Sequence, residues 1–505
     1  MKILDAPAMR QLDARTMEHE PVRSLDLMER AAKRCFQWLR PRLRNHEVIH
    51  VFCGMGNNGG DGLALARMLG GSGKKVRAYL VRHASGEGSA DFQANLKRLR
   101  PVRNVHIDWL EGKDSLPPAE AGDVIVDALL GSGLSRPLEG FLAEVVRHIN
   151  ASGAVVVSID LPSGLFSEDN RENDPSRIVH ADFTLSFQLP KLAFLMAENA
   201  PLVGEWHLMD IGLHPVGMEE AATRYFFLDK ETVRGFYRPR KKFAHKGHFG
   251  HALLMAGSHG KVGAAILAAK ACLRSGAGLL TVQVPGCGYA VVQGALPEAM
   301  CLEDGDREKL TTLPPLDPYN AVGIGPGIGT DAQTARTLKL LIQQSAGPLV
   351  LDADALNILA DNPTWCGFLP SGCVITPHPG EFDRLAGKAG SDYQRLLNAC
   401  DFARRFGLIV VLKGAHTAII SPEGPVYFNS TGNPGMATGG SGDALTGMIL
   451  GWIAQGYAPL PACLMGVFLH GLAGDMAAAG KGQEGLLAGD LLDMIPRAQR
   501  KVLQA

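Results

Sequence analysis

Short apolar runs alternate with amphipathic stretches along the first half of the chain. Residues 25–40 repeat apolar positions at helical spacing and predict an amphipathic helix. VIHVFCG (48–54) is an apolar run closed by glycine, the pattern of a strand buried on both faces. A glycine-rich turn, a helical LALARML (63–69) and a second run, KVRAYLV (75–81), follow it. DVIVDAL (123–129), AVVVSIDL (154–161) and FTLSFQL (183–189) continue the rhythm, which predicts a parallel sheet covered by helices. The pattern weakens over 215–245, and a domain boundary is expected at 220–235. It then restarts: strands are expected in HALLMAG (251–257), LLTVQV (279–284), AVGIG (321–325), PLVLDAD (348–354), CVITP (373–377) and LIVVLKG (408–414). A helix is expected over 263–276, and a later one shows Leu445, Met448, Ile449, Trp452 and Ile453 on one face. The expectation is an α/β protein of two domains, 1–220 and 230–505.

Composition narrows the classes. The 505 residues are 46% hydrophobic and 20% charged, which excludes a disordered chain. The net charge of −1 argues against nucleic-acid binding as the main role. No apolar stretch is seen to reach the ~18–20 residues that cross a bilayer, and no signal-peptide core follows the start. A cytoplasmic protein without membrane or nucleic-acid partners is therefore expected. Nine scattered cysteines with no Cys-x-x-Cys pair are expected to be free thiols. The basic run Arg234, Arg238, Arg240, Lys241, Lys242 and Lys246 reads as a solvated linker for all but Lys246, or else as an attractor of an anionic substrate.

Chemistry concentrates at strand ends. Gly54-Met55-Gly56-Asn57-Asn58-Gly59-Gly60-Asp61-Gly62 follows a strand and opens a helix, so backbone N–H groups can approach a pyrophosphate. It is not the G-x-G-x-x-G dinucleotide fingerprint. Asp127 precedes Gly131-Ser132-Gly133, and Asp160 precedes Leu161-Pro162-Ser163-Gly164. Ligands of open parallel sheets sit beyond the carboxyl ends of the strands. Acids at neighbouring ends can hold a cation or move a proton, although each alone could merely cap its turn.

These segments, with LMERAA (27–32), resemble the epimerase domain of NAD(P)H-hydrate repair enzymes over roughly residues 1–215; Met55 stands where that family often has proline. The resemblance implies a Rossmann-like three-layer αβα domain that epimerises NADH or NADPH hydrated on the nicotinamide ring. It implies that Asn57, Asn58, Gly59, Gly60 and Asp61, with Gly131, Ser132, Gly133, Leu134, Ser135, Arg136 and Pro137, line the substrate. Asp160 would stand beside the reactive carbon as acid and base, and Asn58, Asp127 and Ser163 would coordinate K+.

In the second half, Gly432-Asn433-Pro434-Gly435-Met436-Ala437-Thr438-Gly439-Gly440-Ser441-Gly442-Asp443 leads into the late helix. Glycine N–H groups at a helix start suit the charge on a transferred phosphoryl group, and Asp443 could take a proton from an attacking hydroxyl. Gly325 to Thr330, Thr376 to Glu381 and Lys413 to Thr417 also lie just past strands. There is no GxxxxGK[ST] run and no protein-kinase signature.

These pieces, with HKG (245–247), AGS (256–258), GAA (263–265), SGAG (275–278) and DADALN (352–357), resemble ribokinase-like ADP-dependent NAD(P)H-hydrate dehydratases over roughly 235–500. The resemblance implies a ribokinase-like αβα domain. It implies that Lys413, Gly414, Ala415, His416, Thr417 and Gly442 contact the adenine nucleotide, and that Ala264, Gly329, His378 and Asp443 contact the hydrated dinucleotide. ADP would phosphorylate the ring hydroxyl and phosphate would leave, giving NAD(P)H, AMP and phosphate. Mg2+ would neutralise the phosphates, with Asp352 and Glu381 as candidate water-mediated ligands. A bifunctional enzyme acting on small molecules, assembled as a homo-oligomer, is the resulting expectation. Two other readings stay open: a kinase for a small vitamin-precursor alcohol, and a non-catalytic first domain.

Overall fold

The computed structural model describes residues 1–43, 48–82, 87–118 and 122–504. The chain divides into two compact units, Lys2–Thr223, and Arg224–Ala505 with Met1.

The N-terminal unit is built on a seven-stranded sheet with every pairing parallel. Its spatial order is Val105–Leu110, Val76–Val81, Ile49–Cys53, Val124–Ala128, Val155–Ile159, Phe183–Phe187, Glu205–Met209. The order reverses between Ile49–Cys53 and Val124–Ala128, so a crevice opens beyond their carboxyl ends. Apolar layers fill both faces: Leu63, Leu65 and Leu69 pack on one, Val145, Val146 and Ile149 on the other. The two flanking strands, Val105–Leu110 and Glu205–Met209, escape the apolar-run criterion because edge strands are half exposed and carry polar residues.

The second unit's sheet runs Tyr225–Phe227, Val426–Phe428, Ala418–Ile420, Ile409–Leu412, Val374–Ile375, Leu349–Leu351, Ala321–Ile324, His251–Met255, Leu279–Val284, Met300–Glu303. It is mixed rather than wholly parallel: Ala418–Ile420 pairs antiparallel with both of its neighbours. Three helices, Val262–Arg274, Ser441–Ala454 and Pro459–Lys481, carry much of the core.

Two expectations need correction. The late helix Ser441–Ala454 is buried nearly all round, not on one face, because it lies between the sheet and two further helices. Pro459–Lys481 is long and apolar enough to cross a bilayer by length and composition, but 72% of its apolar stretch is buried, as in a core helix. All six residues of the basic run are exposed, and two of them also stack on rings. Arg238 lies over the Tyr457 ring and Arg240 over the Phe249 ring, 5.0 and 3.8 Å from the centroids. All nine cysteines are free, seven of them buried.

Candidate active sites

In the N-terminal unit the expected turn after Cys53 is the start of a helix, Asn57–Gly71. Its glycines are needed for close packing. A Cβ on Gly59 would lie 1.7 Å from the Gly54 carbonyl oxygen, and one on Gly54 would lie 1.9 Å from the Leu129 carbonyl oxygen. This packing brings Asn58 and Asp61 to the crevice, and both are buried. The Asn58 side chain finds no partner for its Oδ1 or Nδ2. An orphaned buried amide costs about 1–3 kcal/mol, which a ligand there would offset.

Asp127 is fully buried and holds the neighbouring loop. Its carboxylate accepts from Ser158 Oγ (2.8 Å), Ser163 N (2.8 Å), Ser163 Oγ (2.6 Å) and Leu129 N (3.2 Å). Burial raises its pKa, and these donors oppose the rise. Of the three residues expected at a cation, Asp127 and Ser163 are bonded to one another and both Asp127 oxygens are occupied, while Asn58 is the member whose polar atoms lack partners among the described residues.

Asp160 follows its strand with φ 62°, a left-handed backbone that a non-glycine residue adopts at a cost of about 1–3 kcal/mol. Its Oδ1 is 3.0 Å from the ammonium of Lys191, which is only 1% exposed. Ideal Cβ geometry at Gly131 puts that residue 3.5 Å from both Asn58 and the Asp160 carboxylate. Leu134 packs towards the sheet, while Gly133, Ser135 and Arg136 stand exposed on the loop that continues to Pro137.

Two further carboxyls complete this cluster. Burial, and then Asp160, push Asp13 up to about 6, against the pull of Lys191. Burial, then Asp160, Asp13 and Asp91, push Asp61 well above the usual range. Asp160 thus pairs with the buried ammonium, Asp13 feels it, and Asp61 couples to both acids. Sequence reasoning missed Lys191 and Asp13. A lone lysine inside the apolar stretch LSFQLPKLAFL was the available signal for the first; Asp13, on helix Ala6–His19, had none.

In the second unit, Gly440 adopts φ 90° and caps the helix Ser441–Ala454. Gly442 and Asp443 fall in its first turn, where backbone N–H groups are unpaired. A Cβ on Gly442 would stand 3.4 Å from Lys413 Nζ. That ammonium pairs with Asp352 Oδ1 at 2.9 Å and Glu381 Oε2 at 3.7 Å. Burial disfavours the charge on Lys413, but Asp352 and Glu381 outweigh it and raise its pKa. Asp352 Oδ2 accepts from Thr446 Oγ1 at 2.7 Å, and Glu381 accepts from His378 N at 2.7 Å. Both candidate metal acids are thus engaged with protein donors.

Burial, and then Asp352, push Asp443 up to about 6, with Lys413 opposing and Asp354 adding to the rise. Asp354 Oδ2 accepts from Gly329 N at 2.8 Å, which brings Gly329 to the same rim. Ala353, between Asp352 and Asp354, has φ 48°. Ala264 lies beside Gly327, where an added Cβ would come within 3.2 Å of the alanine methyl. His378 caps the helix Pro379–Ala386: its Nδ1 accepts from Gly380 N at 3.0 Å, and its Nε2 lies 3.6 Å from Glu381 Oε1. Gly414 and Thr417 bond one another, and His416 Nδ1 donates to Asn429 O at 3.0 Å. Ala415 lies in the turn between them.

Pro459–Lys481 also anchors the glycine loop, which sequence reasoning missed. Asp475 accepts from Gly432 N (3.0 Å) and Asn433 Nδ2 (2.9 Å), and His470 Nε2 donates to Ser441 O at 2.9 Å. Burial lowers His470 to about 4, so it is a neutral donor.

The comparisons follow this division. Residues 24–193 match the family model described as YjeF-related protein N-terminus, and 252–497 match that of NAD(P)H-hydrate dehydratase. A bifunctional NAD(P)H-hydrate repair enzyme of Moorella thermoacetica is 36% identical over 99% of this chain and 97% of its own length. One from Escherichia coli is 33% identical over 94% and 89%. The structure of a ribokinase-like superfamily protein from Enterococcus faecalis aligns with TM-score 0.51 and 29% identity, covering 56% of this chain and 98% of that one.

Proposed function

The chain belongs to the bifunctional NAD(P)H-hydrate repair enzymes, and on that premise we propose how its two sets of residues divide the work. The N-terminal unit is the epimerase and the C-terminal unit the dehydratase.

In the epimerase, the hydroxylated ring carbon is bonded to the ring nitrogen, whose lone pair expels water and leaves an iminium ion. Water returning to the other face inverts the centre. Asp160 passes the proton between the leaving and the returning oxygen, and Lys191 fixes its carboxylate. Asp13 is the second proton holder of the pocket, since its carboxyl titrates near 6. Asn58 and Gly131 border the same space. When bound, K+ would supply positive charge beside the substrate phosphates with Asn58 as its free oxygen ligand; Asp127, both of whose oxygens are occupied, is better matched to holding the Ser163 loop.

In the dehydratase, Asp443 removes the proton from the ring hydroxyl of the S epimer as that oxygen takes a phosphoryl group from ADP. The N–H groups at Gly442 and the helix start receive the developing negative charge. Phosphate leaves as the ring nitrogen donates its pair, and the iminium ion so formed loses the proton of the neighbouring ring carbon to the departing phosphate, giving the dihydronicotinamide, AMP and phosphate. His378 and Gly329 hold the dinucleotide, and Gly414 to Thr417 hold the adenosine side of the nucleotide. When bound, Mg2+ would neutralise phosphate charge. Asp352 is better matched to orienting Lys413 than to the metal, because both of its oxygens are occupied.

The observation that carries this reading is Asp443: an acid on the first turn of a glycine-capped helix, lifted to about 6 beside a lysine. Incubating the full chain with both hydrate epimers, Mg2+ and ADP tests it. NAD(P)H absorbance should return with one phosphate per turnover. A stable phosphorylated alcohol and no NAD(P)H would instead favour the kinase reading.

A further inference from the structure

The basic run that neither reaction uses folds over a cavity of about 530 Å3 in the second unit, within the range of ligand pockets. The cavity lies at the amino ends of the strands His251–Met255 and Leu279–Val284, away from the glycine loop. Arg238, Arg240, Lys241 and Arg274 line it, and no Asp or Glu does.

The plain structural explanation is helix capping. The helices Val262–Arg274, Ser441–Ala454 and Ala488–Leu503 all end here, each presenting roughly half a negative charge. Arg240 Nη2 donates to Gly276 O at 2.5 Å, and Arg238 Nη1 lies 3.4 Å from Gly456 O. Three helix ends offset about 1.5 charges. Four cations therefore exceed what capping requires, and the cavity keeps a positive excess.

Trp452 and Ser275 form part of the wall, but Trp452 Nε1 and Ser275 Oγ are themselves enclosed and do not reach an occupant. Arg240 is exposed to the cavity mouth yet held in place. It stacks on Phe249, bonds Gln455 Oε1 at 3.2 Å, and lies against Gly276, where a Cβ would come within 2.5 Å of its Nη2. Gly276 also has φ 107°, so both space and conformation reserve that position for glycine. Among the described residues the charged side chains lining this cavity are Arg238, Arg240, Lys241 and Arg274, so a complementary occupant brings negative charge.

We propose that this cavity is a second anion site, distinct from both reaction centres, which takes a small organic oligophosphate. Nine residues separate Trp452 from Asp443 along one helix, about 14 Å of rise, so Trp452 reports on this cavity rather than on the reaction.

The test is a titration of the full chain with tripolyphosphate, followed by tryptophan fluorescence, with ATP as a second arm. A saturable change is expected that Trp452→Phe removes. Lys241→Glu/Arg274→Glu should weaken it at least about tenfold, with the dehydration rate unchanged, since both side chains are exposed and lie outside the reaction centre. Tighter binding of ATP than of tripolyphosphate would assign part of the recognition to the base; equal binding would assign it to the phosphate chain. The proposal fails if neither probe gives a saturable change, or if the change survives the double variant. It also fails if the double variant lowers the sedimentation mass of the assembly, because the cavity would then be seating a second copy of the chain.

Discussion

Each acid proposed to react is tied to a residue forced to positive φ: Asp160 itself in one unit, and Ala353, between two acids that act on Asp443, in the other. Strain of this kind persists only where surrounding contacts over-determine it. Asp443 gives two linked predictions. A general base must be ionised, so the dehydration rate at low substrate should rise with pH through about 6 with unit slope. The stability effect has the opposite sense. The folded pKa, about 6, exceeds the usual 3.8, so ionising Asp443 destabilises the fold above about pH 6, and the penalty vanishes below pH 3.8. Asp443→Asn should therefore abolish dehydration yet stabilise the second unit by ~1–3 kcal/mol at pH 7, with the gain lost near pH 3.5. Urea melts at the two pH values check this; a variant equally stabilised at both would contradict the assigned burial of charge. Lys191 gives the converse. Removing one partner of a buried pair costs about 3–5 kcal/mol, and here Asp160 would lose its ion pair and Asp13 the opposing charge. Lys191→Met should lower the stability of the N-terminal unit by that order and suppress epimerisation; unchanged melting with unchanged epimerisation would exclude the pair from both roles.

Elements position these groups through backbone contact that only glycine permits. Helices Val262–Arg274 and Ser441–Ala454 meet where a Cβ on Gly447 would lie 1.9 Å from Ala268 O. Gly447→Ala should destabilise by ~1–3 kcal/mol or more and move the glycine loop, lowering the dehydration rate while leaving epimerisation unchanged. Thermal melts and separate assays of the two reactions check it. This scale also shows what could be read from sequence. Strands such as Ile49–Cys53 and His251–Met255 were legible because burial on both faces leaves unbroken apolar runs. The short strands Ala418–Ile420 and Val426–Phe428 were not read, although Leu349–Leu351, equally short, was. Asp160 and Asp443 were legible because they follow glycine-rich or strand-end motifs. Lys191, His470 and Asp475 act across the fold, from apolar or helical surroundings that hide their partners. Local pattern carries the first kind of information and cannot carry the second.

At the scale of the whole molecule, each unit has its own sheet, its own apolar core and its own acid centre. On the proposed roles, dehydration does not use Asp160 and epimerisation does not use Asp443. Their coupling is chemical: one consumes a single epimer and the other regenerates it. An Asp160→Asn chain should accordingly split the time course. With equal amounts of both hydrate epimers and excess ADP, half of the substrate should disappear at the parental rate. The remainder should follow at the spontaneous rate of epimerisation, measured without enzyme. The parent chain should show one phase to completion. Adding the Asp443→Asn chain, whose N-terminal unit is intact, should restore the fast second phase in trans. Complete single-phase consumption by Asp160→Asn alone would remove Asp160 from epimerisation. Failure of the mixed chains to complement would show that the two reactions depend on one another within a molecule.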